Sequence, residues 1–172
     1  MQQRWIFGYG SLMWKPGFDF LSQAHARIRG YHRSLCIYSL HHRGTEEMPG
    51  LVLGLDRGGS CIGVAFEVAP VKWETTLSYL RAREQVSVVY VEALQTIELL
   101  DRGEKVEALL YVADRGHEQY AGKLSHDSLM KHVLQGVGEM GRCTDYVKST
   151  LAHLKEMDIR DRTLEAIGAE LS

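Results

Sequence analysis

The sequence predicts an α+β fold with a mixed or antiparallel sheet. Three features predict it. Runs of β-branched, aromatic or alternating residues fill most of the chain up to about residue 112. Clusters of turn chemistry join neighbouring runs, and helical spacing with helix-start signals dominates the carboxyl-terminal third.

Trp5 to Tyr9 is the first strand, short and apolar. Tyr31 to Leu40, Leu51 to Leu55 and Ile62 to Val68 follow as strands, then Val86 to Glu92 continuing toward Leu100, and Val106 to Val112. Asp56-Arg57-Gly58-Gly59 and Asp101-Arg102-Gly103-Glu104 have the composition of tight turns, so two antiparallel hairpins are expected there. Pro70 suits a first helical turn, where its missing N–H costs nothing, and opens a helix through about Arg83. Ser125 is a natural cap for a second helix over Asp127 to Gln135, with Gly136 near its end. Thr144 is the expected cap of a third helix, whose Val147, Leu151 and Leu154 share one face. No linker, repeat or low-complexity tract divides the chain, so a single domain over residues 1–172 is expected.

Composition removes several function classes. The net charge is −2, and no cluster of Lys and Arg dominates one stretch, so a nucleic-acid partner is not expected. Cys36, Cys61 and Cys143 are odd in number and far apart, which suits neither a disulfide framework nor a structural zinc site. They read as small buried hydrophobes in a reducing compartment. The apolar start is too short for a secretory signal, and no later run is long enough to span a bilayer. A cytoplasmic protein with no membrane partner is the expectation. No metal site is expected either: there is no H-E-x-x-H, and the adjacent His41 and His42 would face opposite sides of an extended chain.

Two features carry chemistry. In Phe7-Gly8-Tyr9-Gly10-Ser11-Leu12-Met13-Trp14 a strand ends in two glycines, which let the main chain turn and approach a ligand closely. Exposed N–H groups in such a bend form an anion or oxyanion site; the plain alternative is a tight turn after an edge strand. The segment is neither a dinucleotide fingerprint nor a P-loop, and a nucleophilic Ser11 would lack the G-x-S-x-G elbow. The second feature is Glu84. Trp73, Leu77 and Leu80 mark the buried stripe of the first helix, and Glu84 continues that stripe where an apolar residue belongs. A buried, unpaired carboxyl there has its pKa raised and can shuttle a proton near neutrality. The alternative is an ion pair with Arg81 or Arg83 at a helix end.

Gly8-Tyr9-Gly10-Ser11-Leu12-Met13-Trp14 resembles the F-G-Y-G-S-L-I-W opening of the ChaC-like, glutathione-specific γ-glutamylcyclotransferases. The likeness continues through His42-Arg43-Gly44, Pro49-Gly50, Gly63-Val64-Ala65-Phe66 and Tyr79-Leu80-Arg81-Ala82-Arg83-Glu84. It resumes at Tyr120-Ala121-Gly122 and from Gly138 to Tyr146, in the family's order across nearly the whole chain. The resemblance implies a γ-glutamylcyclotransferase-like fold, a small mixed β-barrel with packed helices. It implies Gly8, Tyr9, Gly10, Ser11 and Leu12 as the cradle for a γ-glutamyl group, Glu84 as the catalytic acid and base, and Tyr146 as a further substrate contact. The implied reaction is degradation of glutathione to 5-oxoproline and Cys-Gly, with no metal or organic cofactor. The competing expectations are a cyclotransferase for other γ-glutamyl amino acids or amines, and a non-catalytic module that binds a γ-glutamyl metabolite.

Overall fold

A computed structural model describes residues 4–84 and 88–171. The chain divides into two compact units, Met1–Ser34 with Leu55–Asp114, and Leu35–Gly54 with Arg115–Ser172.

The first unit is built on strands β1 (Arg4–Gly8), β2 (Ser22–Ser39), β3 (Gly50–Val68), β4 (Tyr90–Leu99) and β5 (Glu104–Ala113), the unit boundaries falling inside β2 and β3. They close into a barrel in the order β1-β3-β2-β4-β5. The barrel is mixed: β1 runs antiparallel to β3 and parallel to β5, whereas β4 is antiparallel to both β2 and β5. The γ-glutamylcyclotransferase-like barrel expected from the resemblance is therefore present.

Strand alternation sorts the core into two layers. Trp5 and Phe7 of β1 point into the barrel with Ala26 and Ile28 of β2, Leu55 and Ala65 of β3, Ile97 and Leu99 of β4, and Ala108 and Leu110 of β5. Ile6 of β1, with Leu109 and Tyr111 of β5, faces the other way. These three pack with Trp73 and Leu80 of helix α1 (Trp73–Glu84) and with Leu12. Each such large apolar side chain, fully buried, contributes about 1.5–3 kcal/mol before conformational entropy is counted. The Trp73–Leu80 stripe is thus the buried face of α1, as its spacing predicts. A single 3-10 turn at Pro70–Lys72 leads into it.

Three expectations about the elements of this unit need correction. Asp56 to Gly59 does not reverse the chain, and the runs Leu51 to Leu55 and Ile62 to Val68 belong to one continuous strand, β3. Gly58 and Gly59 adopt φ of 101° and 65°, so the glycines bend the strand, and the Gly58 carbonyl stays within 2.9 Å of His32 Nδ1 on β2. The strand expected at Tyr31 to Leu40 begins nine residues earlier, at Ser22. The second hairpin forms as expected: Leu99 pairs with Glu104 across a turn in which Gly103 has φ of 61°. In the strand expected to open at Val86, residues 85–87 lie outside the described residues, and β4 begins at Tyr90.

The second unit holds helices α2 (His126–Gln135), α3 (Cys143–Glu156) and α4 (Arg162–Ala169), with a two-stranded ladder of β6 (Val137–Gly138) and β7 (Gly141–Arg142). Ser125 caps α2 by accepting from the Ser128 N–H, as expected. Thr144 does not cap α3; the helix begins one residue before it, with Arg142 at the cap position and no side-chain bond. A fourth helix, α4, was not expected from the sequence. Asp161 caps it by accepting from the Leu164 N–H at 3.0 Å, and Leu164 and Ile167 bury its apolar edge. Among the described residues no helix is long and apolar enough to cross a membrane.

Candidate active site

The glycine-bearing bend is a built object. After Gly8 the chain enters a 3-10 turn at Ser11–Met13, closed by Met13 N–H to Gly10 O at 2.9 Å and Lys15 N–H to Ser11 O at 2.8 Å. These bonds use the N–H groups of Met13 and later residues, so those of Ser11 and Leu12 stand outside the turn's own pattern, as helix starts require. Gly8 sits so close over the turn that a Cβ there would lie 3.2 Å from Leu12 Cβ and 3.3 Å from Met13 N. The Leu12 side chain is core, packed with Leu80 and Tyr111, so Leu12 offers a ligand only its main chain. Tyr9 is half-buried and Ser11 is exposed.

Arg33 fixes the bend from beneath. It is 6% exposed, and it donates from Nε to Tyr9 O at 2.6 Å and from Nη2 to Ile62 O at 2.7 Å. A guanidinium in the core is tolerable because its donors meet carbonyls. Arg33 is thereby committed to holding the bend.

The end of α1 lies against the same bend. Arg83 donates from Nη2 to Ser11 Oγ at 3.0 Å. Its Nη1 donates to Lys15 O at 2.6 Å, to Pro16 O at 3.1 Å and to Tyr79 Oη at 3.1 Å. Glu84 is the last residue of α1, and its Oε1 stands 3.6 Å from Arg83 Nε. Both side chains are about one-fifth exposed. Burial pushes the Glu84 carboxyl above the ordinary glutamate range, and the neighbouring Arg83 charge pulls it part of the way back. The two readings of Glu84 therefore coexist: it neighbours an arginine, yet its proton affinity is raised.

A third group feels the charge of this carboxyl. Tyr111 of β5 is 3% exposed and donates to Glu92 Oε1 of β4 at 2.9 Å. Arg81 forks onto Glu92 with Nε and Nη2 at 3.1 and 3.0 Å. The Tyr111 phenol is pushed well above its usual range, first by burial, then by its bond to Glu92 and by the Glu92 and Glu84 charges. Arg81 in turn holds the Glu92 carboxyl low. Tyr111 thus stays a neutral hydroxyl at any physiological pH.

The sequence reading missed Arg83 as a holder of the bend, and missed Tyr111 and Glu92 altogether. The second hairpin held the signal for that last pair: with Leu99 opposite Glu104, the ladder puts Glu92 opposite Tyr111.

Tyr146, the carboxyl-terminal candidate, belongs to the second unit. Its Oη accepts from the Leu53 N–H at 3.0 Å, and the Arg43 guanidinium lies over its ring at 5.6 Å. Arg43 also donates to Arg142 O at 3.2 Å. Cys36, Cys61 and Cys143 are buried and form no disulfide. The Cys143 thiol donates to Leu51 O at 3.1 Å, and burial raises its pKa, which suits packing and not nucleophilic attack. Among the described residues no group of three or more His, Cys, Asp or Glu is arranged to hold a metal ion.

A family model described as "ChaC-like protein" matches residues 4–172. The chain is 31% identical over 157 residues to the glutathione-specific gamma-glutamylcyclotransferase of Escherichia coli K12, covering 91% of this chain and 68% of that protein. It is 34% identical over 174 residues to glutathione-specific gamma-glutamylcyclotransferase 1 of Danio rerio, covering 97% and 88%. Among solved structures, a γ-glutamyl cyclotransferase from yeast described as specific to glutathione superposes with a TM-score of 0.86 at 22% identity. That match covers 99% of this chain and 96% of the yeast chain, and shows a shared fold.

Proposed function

The chain belongs to the ChaC-like family, and on that footing we propose that it degrades glutathione, cyclising the γ-glutamyl group to 5-oxoproline and releasing Cys-Gly. Relatives named for this activity match nearly the whole chain. The observation that carries the mechanism is a mostly buried carboxyl of raised proton affinity, Glu84, whose neighbour Arg83 is bonded to Ser11 of the bend.

The substrate's α-amino nitrogen attacks its own γ-carbonyl carbon. A C–N bond forms to close the five-membered ring, and the amide bond to cysteine breaks. Nucleophile and electrophile share one short chain, so holding the glutamyl group folded supplies much of the rate; well-oriented intramolecular reactions reach effective molarities of about 10⁵–10⁸ M. No enzyme nucleophile, metal or organic cofactor is needed for that step.

The protein has three tasks. Glu84, ionised, takes a proton from the attacking ammonium and returns it to the leaving amine of Cys-Gly, as a group with a raised pKa does efficiently near neutrality. The N–H groups of Ser11 and Leu12, with the Ser11 hydroxyl, face the developing oxyanion. Arg83 donates to Ser11 Oγ, which leaves the hydroxyl hydrogen available for that role. Gly8, Tyr9 and Gly10 complete the cradle. Three buried cysteines outside any disulfide suit the reducing cytoplasm, where we place the protein.

Incubation with glutathione, followed by mass identification of products, tests the reading. Equal amounts of 5-oxoproline and Cys-Gly are expected, with γ-glutamyl amino acids and amines turned over at least tenfold more slowly. Tight binding of glutathione with no product after long incubation would sink it.

A further inference from the structure

We propose that Arg83 is a positioning residue for this reaction: one guanidinium fastens the glycine-bearing bend to the end of α1 and, by its charge, holds Glu84 in the ionised, proton-accepting form. The inference rests on the reading of Glu84 as the proton carrier.

The geometry is specific to arginine. Nη2 reaches Ser11 Oγ, Nη1 reaches the carbonyls of Lys15 and Pro16 and the Tyr79 hydroxyl, and Nε is left facing Glu84. Bonds to residues 67 to 72 positions away tie two separate segments to one planar fork. A lysine, with its donors at one point on a flexible stem, cannot span them. The segment is packed closely as well: a Cβ on Gly17, which has φ of 76°, would collide with the Tyr79 hydroxyl that Arg83 bonds. Arg83 is therefore part of a built contact and not a solvated cation at a helix end.

The electrostatic half follows from what surrounds Glu84. Among the described residues, Arg83 on its own helix pairs with it and Tyr111 of β5 feels its charge. Tyr111 stays neutral, held by Glu92 of β4, whose charge Arg81 offsets. Arg83 is then the full charge that acts most directly on Glu84, and its removal leaves burial to act unopposed.

The test measures kcat and KM for glutathione against pH in the unmodified protein and in Arg83→Met, Arg83→Lys and Glu84→Gln, with thermal melts beside them. In Arg83→Met the acid limb of kcat/KM is expected to move to higher pH by about one unit, the lower end of what an opposite charge at this range imposes. Arg83→Lys keeps the charge and loses the fork, so its acid limb stays in place while KM rises about tenfold. The substrate's own amine titrates identically in every variant, so a difference between limbs reports the enzyme. An unchanged limb in Arg83→Met, or an unchanged KM in Arg83→Lys, overturns the proposal. Glu84→Gln separates the two claims. If it turns over normally, the reading of Glu84 has failed; if it is inactive while Arg83→Met keeps the original limb, only the role of Arg83 has failed.

Discussion

Replacement of Glu84 by Gln is expected to lower kcat for glutathione about 10²–10⁴-fold, the usual worth of a positioned acid and base, with KM changed by no more than a few-fold. Gln keeps the shape and polarity of the side chain at the end of α1 and removes its ability to take up a proton. Stability moves the other way. Burial raises the Glu84 carboxyl, so the folded protein holds this proton more tightly than the unfolded chain does. The stabilisation linked to that proton is complete below the unfolded pKa and is lost as pH rises through the folded pKa. At neutral pH the ionised carboxyl is a burden on the fold, and the amide relieves it. The variant should therefore melt no lower than the unmodified protein. A kcat near that of the unmodified protein would remove Glu84 from the mechanism.

Gly63→Ala is expected to be the second severe change, through the bend and not through any reacting group. Gly63 lies on β3 beside the point where β1 ends, and a Cβ there would collide with the Gly8 carbonyl and lie 2.9 Å from Phe7 Cζ. A main-chain carbonyl cannot swing aside as a flexible side chain does. Gly8 begins the bend, and Arg33 pins the Tyr9 and Ile62 carbonyls on either side of this contact, so the displacement has nowhere to dissipate. Overpacking of this kind costs about 1–3 kcal/mol, and each kcal/mol is worth about 2–4 °C in a chain of this size. A shift of about 1 Å in a catalytic cradle costs about 10²-fold in rate. Melting and kcat/KM should fall together by these amounts; an unchanged kcat/KM would show that the bend does not position the reaction.

Much of the barrel was legible because strand alternation leaves a strong mark. Trp5 and Phe7 pointing one way and Ile6 the other is the pattern of a strand buried on both faces, and the Asp101 to Glu104 turn fixed the β4–β5 register. Asp56 to Gly59 misled because a strand bend and a hairpin draw on the same residues: both need positive φ, and only the neighbouring strands decide which forms. The first half of β2 was overlooked although Ala24, Ala26 and Ile28 alternate with polar residues; small apolar side chains give that pattern little amplitude. α4 is short, and its evidence is one Asp cap and a Leu164–Ile167 pair.

At the site, Glu84 stood out because a carboxylate broke an apolar stripe. Arg83 did not, since one position along a helix is another face, and its partners Ser11, Lys15 and Pro16 are brought to it only by tertiary folding. The cradle was readable as glycine-rich main chain, whereas the buried Arg33 beneath it carries no local sign of burial.

Turnover in water enriched in ¹⁸O tests the central chemistry most directly. Attack by the substrate's own nitrogen brings in no solvent oxygen, so the 5-oxoproline formed should carry its natural mass and no free glutamate should appear. Glutamate bearing one heavy oxygen would mean that water, and not the α-amino group, opens the amide, and would contradict the account.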